Sequence, residues 1–260
     1  VTYKTILYKK ADGIAKVTLN RPESLNALNS EVYNELYDVF EKIENDPKVR
    51  VVILTASGEK AFAAGSDIVE MQNMNTLEIQ QFVATIRKAS DRIYSLTKPT
   101  IAAIHGYALG GGCELSMCCD LRICSEKAQF GQPEINLGLI PGACGTQRLA
   151  RLIGMPKAKE LIYLGDRIRA DEAFRLGLVN KVVPPESLMD EAMEWAKKLA
   201  GKSGPVLAMA KMAIQTGIDT DIASGLNIEA RCVALCFATK DQKEGMKAFL
   251  ERREAKFKNR

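Results

Sequence analysis

Two short and almost wholly apolar runs, 49–55 (VRVVILT) and 100–104 (TIAAI), constrain the fold of this chain more than any other feature. A strand that is apolar at successive positions has to be covered on both faces, and helices packed over a mainly parallel sheet provide that cover. The intervening segments have the helical pattern this requires. After Ser30, the residues Val32, Leu36, Val39, Phe40 and Ile43 form one apolar stripe, which stops at Asn45-Asp46-Pro47. A second helix is expected around Leu77–Leu96, ending at the Lys98-Pro99 break. Residues 14–19 alternate as a strand, 121–125 read as another, and a helix is expected from about Cys113. The expected fold class is therefore α/β. From about Pro156 the pattern turns helical. Pro205 stands at a first helical position with Leu207, Ala210 and Ile214 along one face, and 241–256 reads as a charged amphipathic helix carrying Met246, Phe249 and Leu250. Apolar stripes on an all-helical tail commonly pack on a neighbour, so an oligomer is expected.

Composition removes several function classes. A net charge of +4 is the difference between 36 basic and 32 acidic residues mixed along the chain, so no segment announces a nucleic-acid partner, whereas a small phosphate-bearing ligand is compatible. No apolar run reaches the roughly 20 residues of a membrane span, and the first residues lack signal-peptide architecture. A cytoplasmic protein is expected, or one of the mitochondrial matrix if a leader has been removed. The 7 cysteines form no C-x-x-C pair and there is 1 histidine, so no metal site is expected and the thiols read as reduced core residues. Gly201-Lys202-Ser203 fails as a phosphate loop because position 196 is Ala, and neither G-x-G-x-x-G nor G-x-S-x-G occurs. His105, in a tight glycine turn, reads as structural.

The stretch HGYALGGGCELSMCCD (105–120) is different in kind. Glycine before a helix lets a ligand approach the backbone, and the first helical turn offers unpaired N–H groups at the positive end of the dipole. A second such place is AFAAGSDIVEM (61–71), where Gly65-Ser66 precedes Asp67 and Glu70 in capping-box spacing. Two amides converging on one oxygen would stabilise a developing enolate, each worth about 10²–10³ in rate. Glu114 lies in the first turn of the glycine-capped helix, whose dipole would favour the ionised form. Glu134 lies among apolar residues in AQFGQPEINLGLIPG, where desolvation favours the neutral form. One base and one acid in a shared apolar pocket could add or remove water across a double bond. Local pattern equally allows Glu114 as a helix-start charge and Glu134 as a turn residue.

The blocks LNRPESLNAL (19–28), KAFAAGSDIVEM (60–71), KPTIAAIHGYALGGGCELSMCCDLRI (98–123), AQFGQPEINLGLIPGACGTQRLARLIG (128–154), GDRIRADEAFRLGLVNKVV (165–183) and FATKDQKEGMKAFLERR (237–253) together resemble the crotonase, or enoyl-CoA hydratase, superfamily. The resemblance implies a spiral of ββα repeats over residues 1–195 and a helical trimerisation region over 196–260, assembled as a homohexamer of two trimers. It implies a hydro-lyase acting on acyl-CoA in fatty-acid β-oxidation, with no cofactor beyond the coenzyme A of the substrate. Other members of the superfamily run isomerase, hydrolase, decarboxylase and dehalogenase chemistry. The hydratases carry one glutamate in the GGGCE block and one in the GQPE block, and both are present here as Glu114 and Glu134.

By that likeness the N–H groups of Ser66 and Gly111 hold the thioester oxygen, Glu114 activates the water and Glu134 protonates the α-carbon. Lys60 and Ala64 match contacts to the nucleotide end, with Lys60 equally readable as a solvated charge. Ser24 and Leu25 match the loop beside adenine, Ser66, Asp67, Ile68 and Val69 with Gly111 match the acyl-thioester contacts, and Gly142 lies near the catalytic water. Phe249 and Arg252 match positions that reach a neighbouring subunit's CoA. Three positions depart from the pattern: Ser66 replaces Ala, Cys144 replaces Gly, and Glu23 stands where a basic residue is common. Two rivals remain: a hydratase for a cyclic or branched enoyl-CoA or another acyl-CoA reaction of the superfamily, and an RNA-binding homologue using Lys240, Lys243, Lys247, Arg252, Arg253, Lys256, Lys258 and Arg260. Acids interleaved with those basic residues fit a solvated helix better.

Overall fold

The structure is a computed structural model and describes residues 2–259. Among the described residues the strands are β1 (Ile6–Ala11), β2 (Ile14–Leu19), β3 (Val51–Ala56), β4 (Ala61–Ala63), β5 (Thr100–Ile104), β6 (Tyr107–Leu109), β7 (Leu121–Ser125), β8 (Gln129–Gly131), β9 (Arg167–Arg169) and β10 (Lys181–Val183). The helices are α1 (Ser30–Glu44), α2 (Ile68–Met71), α3 (Thr76–Tyr94), α4 (Gly111–Ser116), α5 (Gly145–Ile153), α6 (Met155–Leu164), α7 (Ala170–Arg175), α8 (Leu188–Ala200), α9 (Gly204–Gly217), α10 (Ile222–Cys236) and α11 (Lys240–Leu250).

Two sheets result, one ordered β1-β2-β3-β5-β7-β10 and a smaller one ordered β4-β6-β8-β9. Three times the chain leaves the large sheet, adds a short strand to the small one and continues into a helix or turn. This is the repeating ββα spiral of a crotonase fold. The apolar runs behave as their pattern requires. In β3, Val51 and Ile53 join Ile101, Ile123 and the α8 residues Leu188, Ala192 and Ala196 in one core. Val52 and Leu54 face the other way into a larger core with Val32, Leu36 and Phe40 of α1 and Phe82, Ile86 and Ile93 of α3. Each apolar position on β3 therefore has a helix to cover it.

The helix ends follow local chemistry. Asn29 caps α1 through Val32 N, and Asn75 with Glu78 makes a capping box on α3. Residue 195, the expected end of the core, falls inside α8, which packs on the large sheet. Beyond it α9 and α10 pack mainly on each other. They leave Met212, Ile214, Ile218, Ile222, Leu226 and Val233 exposed. The last helix is shorter than its periodicity suggests and ends at Leu250. Arg252 takes a left-handed φ of 53°, and Arg253 turns back to pair with Glu244 at 2.7 Å. No single helix among the described residues is long and apolar enough to cross a membrane.

Candidate active site

Strands β4, β6 and β8 are neighbours and run parallel, so the segments leaving their C-terminal ends gather at one edge of the small sheet. Those segments are Ala64-Gly65-Ser66, Gly110-Gly111 and Gln132-Pro133-Glu134. Glycines make this convergence possible. Gly110 adopts φ 49° at the entry to α4, a left-handed conformation that penalises any Cβ. A Cβ on Gly112 would lie 2.1 Å from the carbonyl oxygen of Ala63, so only glycine lets α4 begin directly against the end of β4. A Cβ on Gly111 would stand 3.3 Å from Ser66 N, which puts the two backbone segments side by side.

Among the described residues neither amide hydrogen has an acceptor. The bridge between Leu28 and Ser66 uses the N–H groups of Leu28 and Asp67, leaving that of Ser66. Gly111 is the first residue of α4 and has no helical acceptor one turn back. Two neighbouring N–H groups free to donate are what a main-chain anion hole would need.

Glu114 is 2% exposed. Its Oε1 accepts N–H bonds from Ala143 at 2.9 Å, Cys144 at 2.9 Å and Gly145 at 2.7 Å. The sequence points to its own helix as the holder of the charge, but the amides at the start of α5 do so instead. Burial pushes the Glu114 carboxyl above the ordinary carboxylate range, and those three donors pull against it. No side-chain or backbone donor among the described residues reaches Oε2, leaving that oxygen for a water.

Glu134 sits in a single 3₁₀ turn, Pro133–Leu137, and is half-buried. Burial raises its pKa to about 7, with a further push from the negative charge of Glu114. Its Oε1 lies 2.8 Å from where a Cβ on Gly110 would be, so the acid rests against the glycine turn. The fully buried Gln132 is a site residue that sequence reasoning missed. With its amide nitrogen turned to the carboxyl it donates to Glu134 Oε1 at 3.0 Å and Oε2 at 3.2 Å. Its two-residue spacing from Glu134 behind a proline is the only local hint.

Ser66, Gly111, Glu114 and Glu134 all line one cavity of about 180 Å³. Its apolar wall is built by Phe82, Val83 and Ile86 of α3 and by Leu137, Leu139 and Ile140. A larger cavity of about 450 Å³ lies between α9 and the core. The one carboxylate lining it, Asp120, is engaged by Lys211 at 3.0 Å, so that cavity lacks paired acids. Of these two, the smaller alone brings paired acids and backbone donors together, which makes it the candidate site.

Of the other expected contact residues, Ala64, Ile68 and Gly142 line this cavity together with Ser66. Leu25, at φ 53°, accepts from Ala64 N at 3.0 Å, which lays the Ser24–Leu25 turn beside the end of β4. Lys60 is exposed immediately before β4, and Val69 is exposed on α2. Asp67 is spent on the frame. Its carboxylate caps α2 through Val69 N and pairs with Arg21 at 3.0 Å, an arginine that sequence reasoning overlooked. The anticipated capping box does not close, because Glu70 instead accepts from Ser30 N at 2.9 Å.

Phe249 and Arg252 are exposed at the end of α11 and do not line the cavity of their own chain. In the same region Arg253 pairs with Glu244 and Glu251 at 2.7 Å each, so the basic tail is partly neutralised; Arg260 lies outside the described residues. Cys144 occupies φ 157°, a conformation suited to glycine, and its thiol donates to the Glu114 carbonyl at 3.4 Å. Glu23 sits exposed in the turn before Leu25.

This fold, with two acids and two backbone donors around one cavity, is that of a crotonase-type CoA-ester enzyme. The chain belongs to the enoyl-CoA hydratase/isomerase family, whose profile matches residues 9–260. It is 48% identical over 257 residues to the crotonyl-CoA hydratase of Syntrophomonas wolfei, covering 99% of each chain. It is 50% identical over 256 residues to the short-chain-enoyl-CoA hydratase of Clostridium acetobutylicum, covering 98% of each. Among solved structures, the enoyl-CoA hydratase from Bacillus anthracis superposes with a TM-score of 0.95 at 43% identity, covering 99% of this chain and 100% of that one.

Proposed function

We propose that this chain hydrates a short-chain trans-2-enoyl-CoA to the 3-hydroxyacyl-CoA through an enolate held between the N–H groups of Ser66 and Gly111. Enoyl-CoA hydration, a hydro-lyase reaction, is its activity; the crotonyl-CoA and short-chain hydratases it matches at 48% and 50% identity carry that assignment. The observation behind the mechanism is the convergence of Glu114, Glu134, Ser66 and Gly111 on one cavity.

The thioester oxygen accepts from both amides, which draws electron density away from the β-carbon. Glu114, anchored through Oε1, takes a proton from water at Oε2 as the water oxygen bonds to the β-carbon. The electron pair of the double bond moves toward the thioester oxygen, and Glu134 gives its proton to the α-carbon. A pKa of about 7 suits a group that must hold a proton and release it near neutral pH. Proton uptake and release by two glutamates close the cycle without a metal or redox cofactor.

The cavity volume of about 180 Å³ and its apolar wall favour a short unbranched acyl chain over a cyclic one. Ser24, Leu25, Lys60 and Ala64 form the CoA path along the β4 edge. Phe249 and Arg252 complete a neighbour's CoA site in a hexamer of two trimers, and the exposed apolar face of α9 and α10 supports that assembly. The place of the enzyme is cytoplasmic fatty-acid β-oxidation. Hydration of C4, C8, branched and cyclic enoyl-CoAs, followed by loss of the conjugated thioester absorbance, tests the substrate reading. Highest kcat/KM for the C4 ester is expected; a preference for a cyclic or branched ester would overturn it.

A further inference from the structure

We infer that the hydroxyls of Tyr33 and Ser66 form a relay that gives the oxyanion hole a third donor, this one from a side chain. The inference rests on the oxyanion-hole reading above. Tyr33 projects from α1 into the core, is 1% exposed and packs edge-on against Phe82 at 6.2 Å between ring centres. Among the described residues its hydroxyl has no hydrogen-bond partner. Native structures rarely leave a buried hydroxyl in that state, so the position asks for a function.

The surroundings supply one. Around the point where a Cβ on Gly111 would stand, Ser66 Oγ lies at 3.0 Å, Ser66 N at 3.3 Å and the Tyr33 hydroxyl oxygen at 3.3 Å. The two hydroxyls therefore flank the backbone that forms the anion hole, and Ser66 itself lines the cavity. Burial, with the negative charge of Glu114 adding to it, raises the Tyr33 pKa well above the ordinary phenol value; the Ser66 hydroxyl offsets part of the rise. Tyr33 therefore keeps its proton, and its O–H is available to donate.

A tyrosine O–H donated to Ser66 Oγ leaves the serine hydrogen free to turn toward a thioester oxygen between the two amides. Donors linked in this way strengthen one another as negative charge develops at the far end. The backbone N–H at position 66 serves the hole whatever the side chain is, so the serine adds a contact without removing one. Ser66 touches substrate in this scheme, and Tyr33 is a positioning residue that acts through it.

The test uses acetoacetyl-CoA, a 3-oxoacyl-CoA whose enolate absorbs in the near ultraviolet, bound to wild type, Ser66→Ala, Tyr33→Phe and the double variant. The apparent pKa of the bound probe reads stabilisation of the enolate directly. Ser66→Ala, which keeps the backbone N–H, is expected to raise it by about one unit and to lower kcat about tenfold, with KM for crotonyl-CoA within about twofold. Tyr33→Phe shifts it in the same direction by less, and the double variant matches Ser66→Ala. An unchanged probe pKa in Ser66→Ala, or additive shifts in the double variant, would overturn the relay while leaving the hydratase reading intact. A wild-type enzyme that does not lower the probe's pKa below its value in free solution would instead overturn the two-amide hole and the relay with it.

Discussion

The turn that carries Glu134 and the junction where α4, which carries Glu114, packs on the start of α5 hold the same side chain by opposite means. At the junction, three backbone amides fix one carboxylate oxygen of a nearly inaccessible residue. In the 3₁₀ turn, the acid is half-buried, its main restraint is Gln132, and desolvation brings it to about 7. In the proposed mechanism the difference gives two identical groups two duties: fixed donors offset the burial of the carboxylate that is to accept a proton, while an apolar setting keeps its neighbour ready to supply one.

The comparison breaks first if the glutamates are dispensable. Glu114→Gln and Glu134→Gln are each expected to lower kcat by about 10²–10⁴ while CoA-ester affinity, measured by titration calorimetry, changes little. Next comes the anchor itself. A Cβ on Gly145 would lie 2.7 Å from Pro141 Cβ and 2.9 Å from Glu114 Oε1, so Gly145→Ala displaces the carboxylate from its donors. A loss of roughly 10- to 100-fold in kcat is expected from steady-state assays, since misplacement by about 1 Å has that effect.

The pH dependence sharpens the contrast. Hydration needs Glu134 protonated, so its rate falls as pH rises through about 7; dehydration needs it ionised, so that rate rises over the same interval. Gln132→Leu removes a donor that favours the ionised form, and both limbs are expected to move to higher pH in rate profiles. The smallest effect belongs to Cys144. Replacement by Gly relieves the φ 157° conformation and is expected to stabilise the fold by about 1 kcal/mol, read as a rise in Tm.

The parts of the fold legible in sequence are those long enough to carry a pattern: alternation in β2, unbroken apolar runs in β3 and β5, and an apolar stripe in α1. Strands β4, β6 and β8 have three residues each, too few to show a period, and yet they gather the site. The glycine triplet signalled a close backbone approach. Its partner in that approach, the Ala63 carbonyl, comes from a strand far back in the chain. The anchoring of Glu114 by residues 143–145 is equally non-local, and so is the diversion of Glu70 from its capping box to Ser30. Local pattern allowed an acid–base pair and an ordinary structural reading of Glu114 and Glu134 equally; family resemblance decided between them.

The central claim is that two amides and two carboxyls act on adjacent atoms of one substrate, and a crystal structure with 3-hydroxybutyryl-CoA bound tests it most directly. The account predicts the thioester oxygen within about 2.7–3.2 Å of both Ser66 N and Gly111 N, the 3-hydroxyl against Glu114 and the α-carbon facing Glu134. A thioester oxygen bound away from those amides, or an acyl chain reaching only one of the two glutamates, would contradict it.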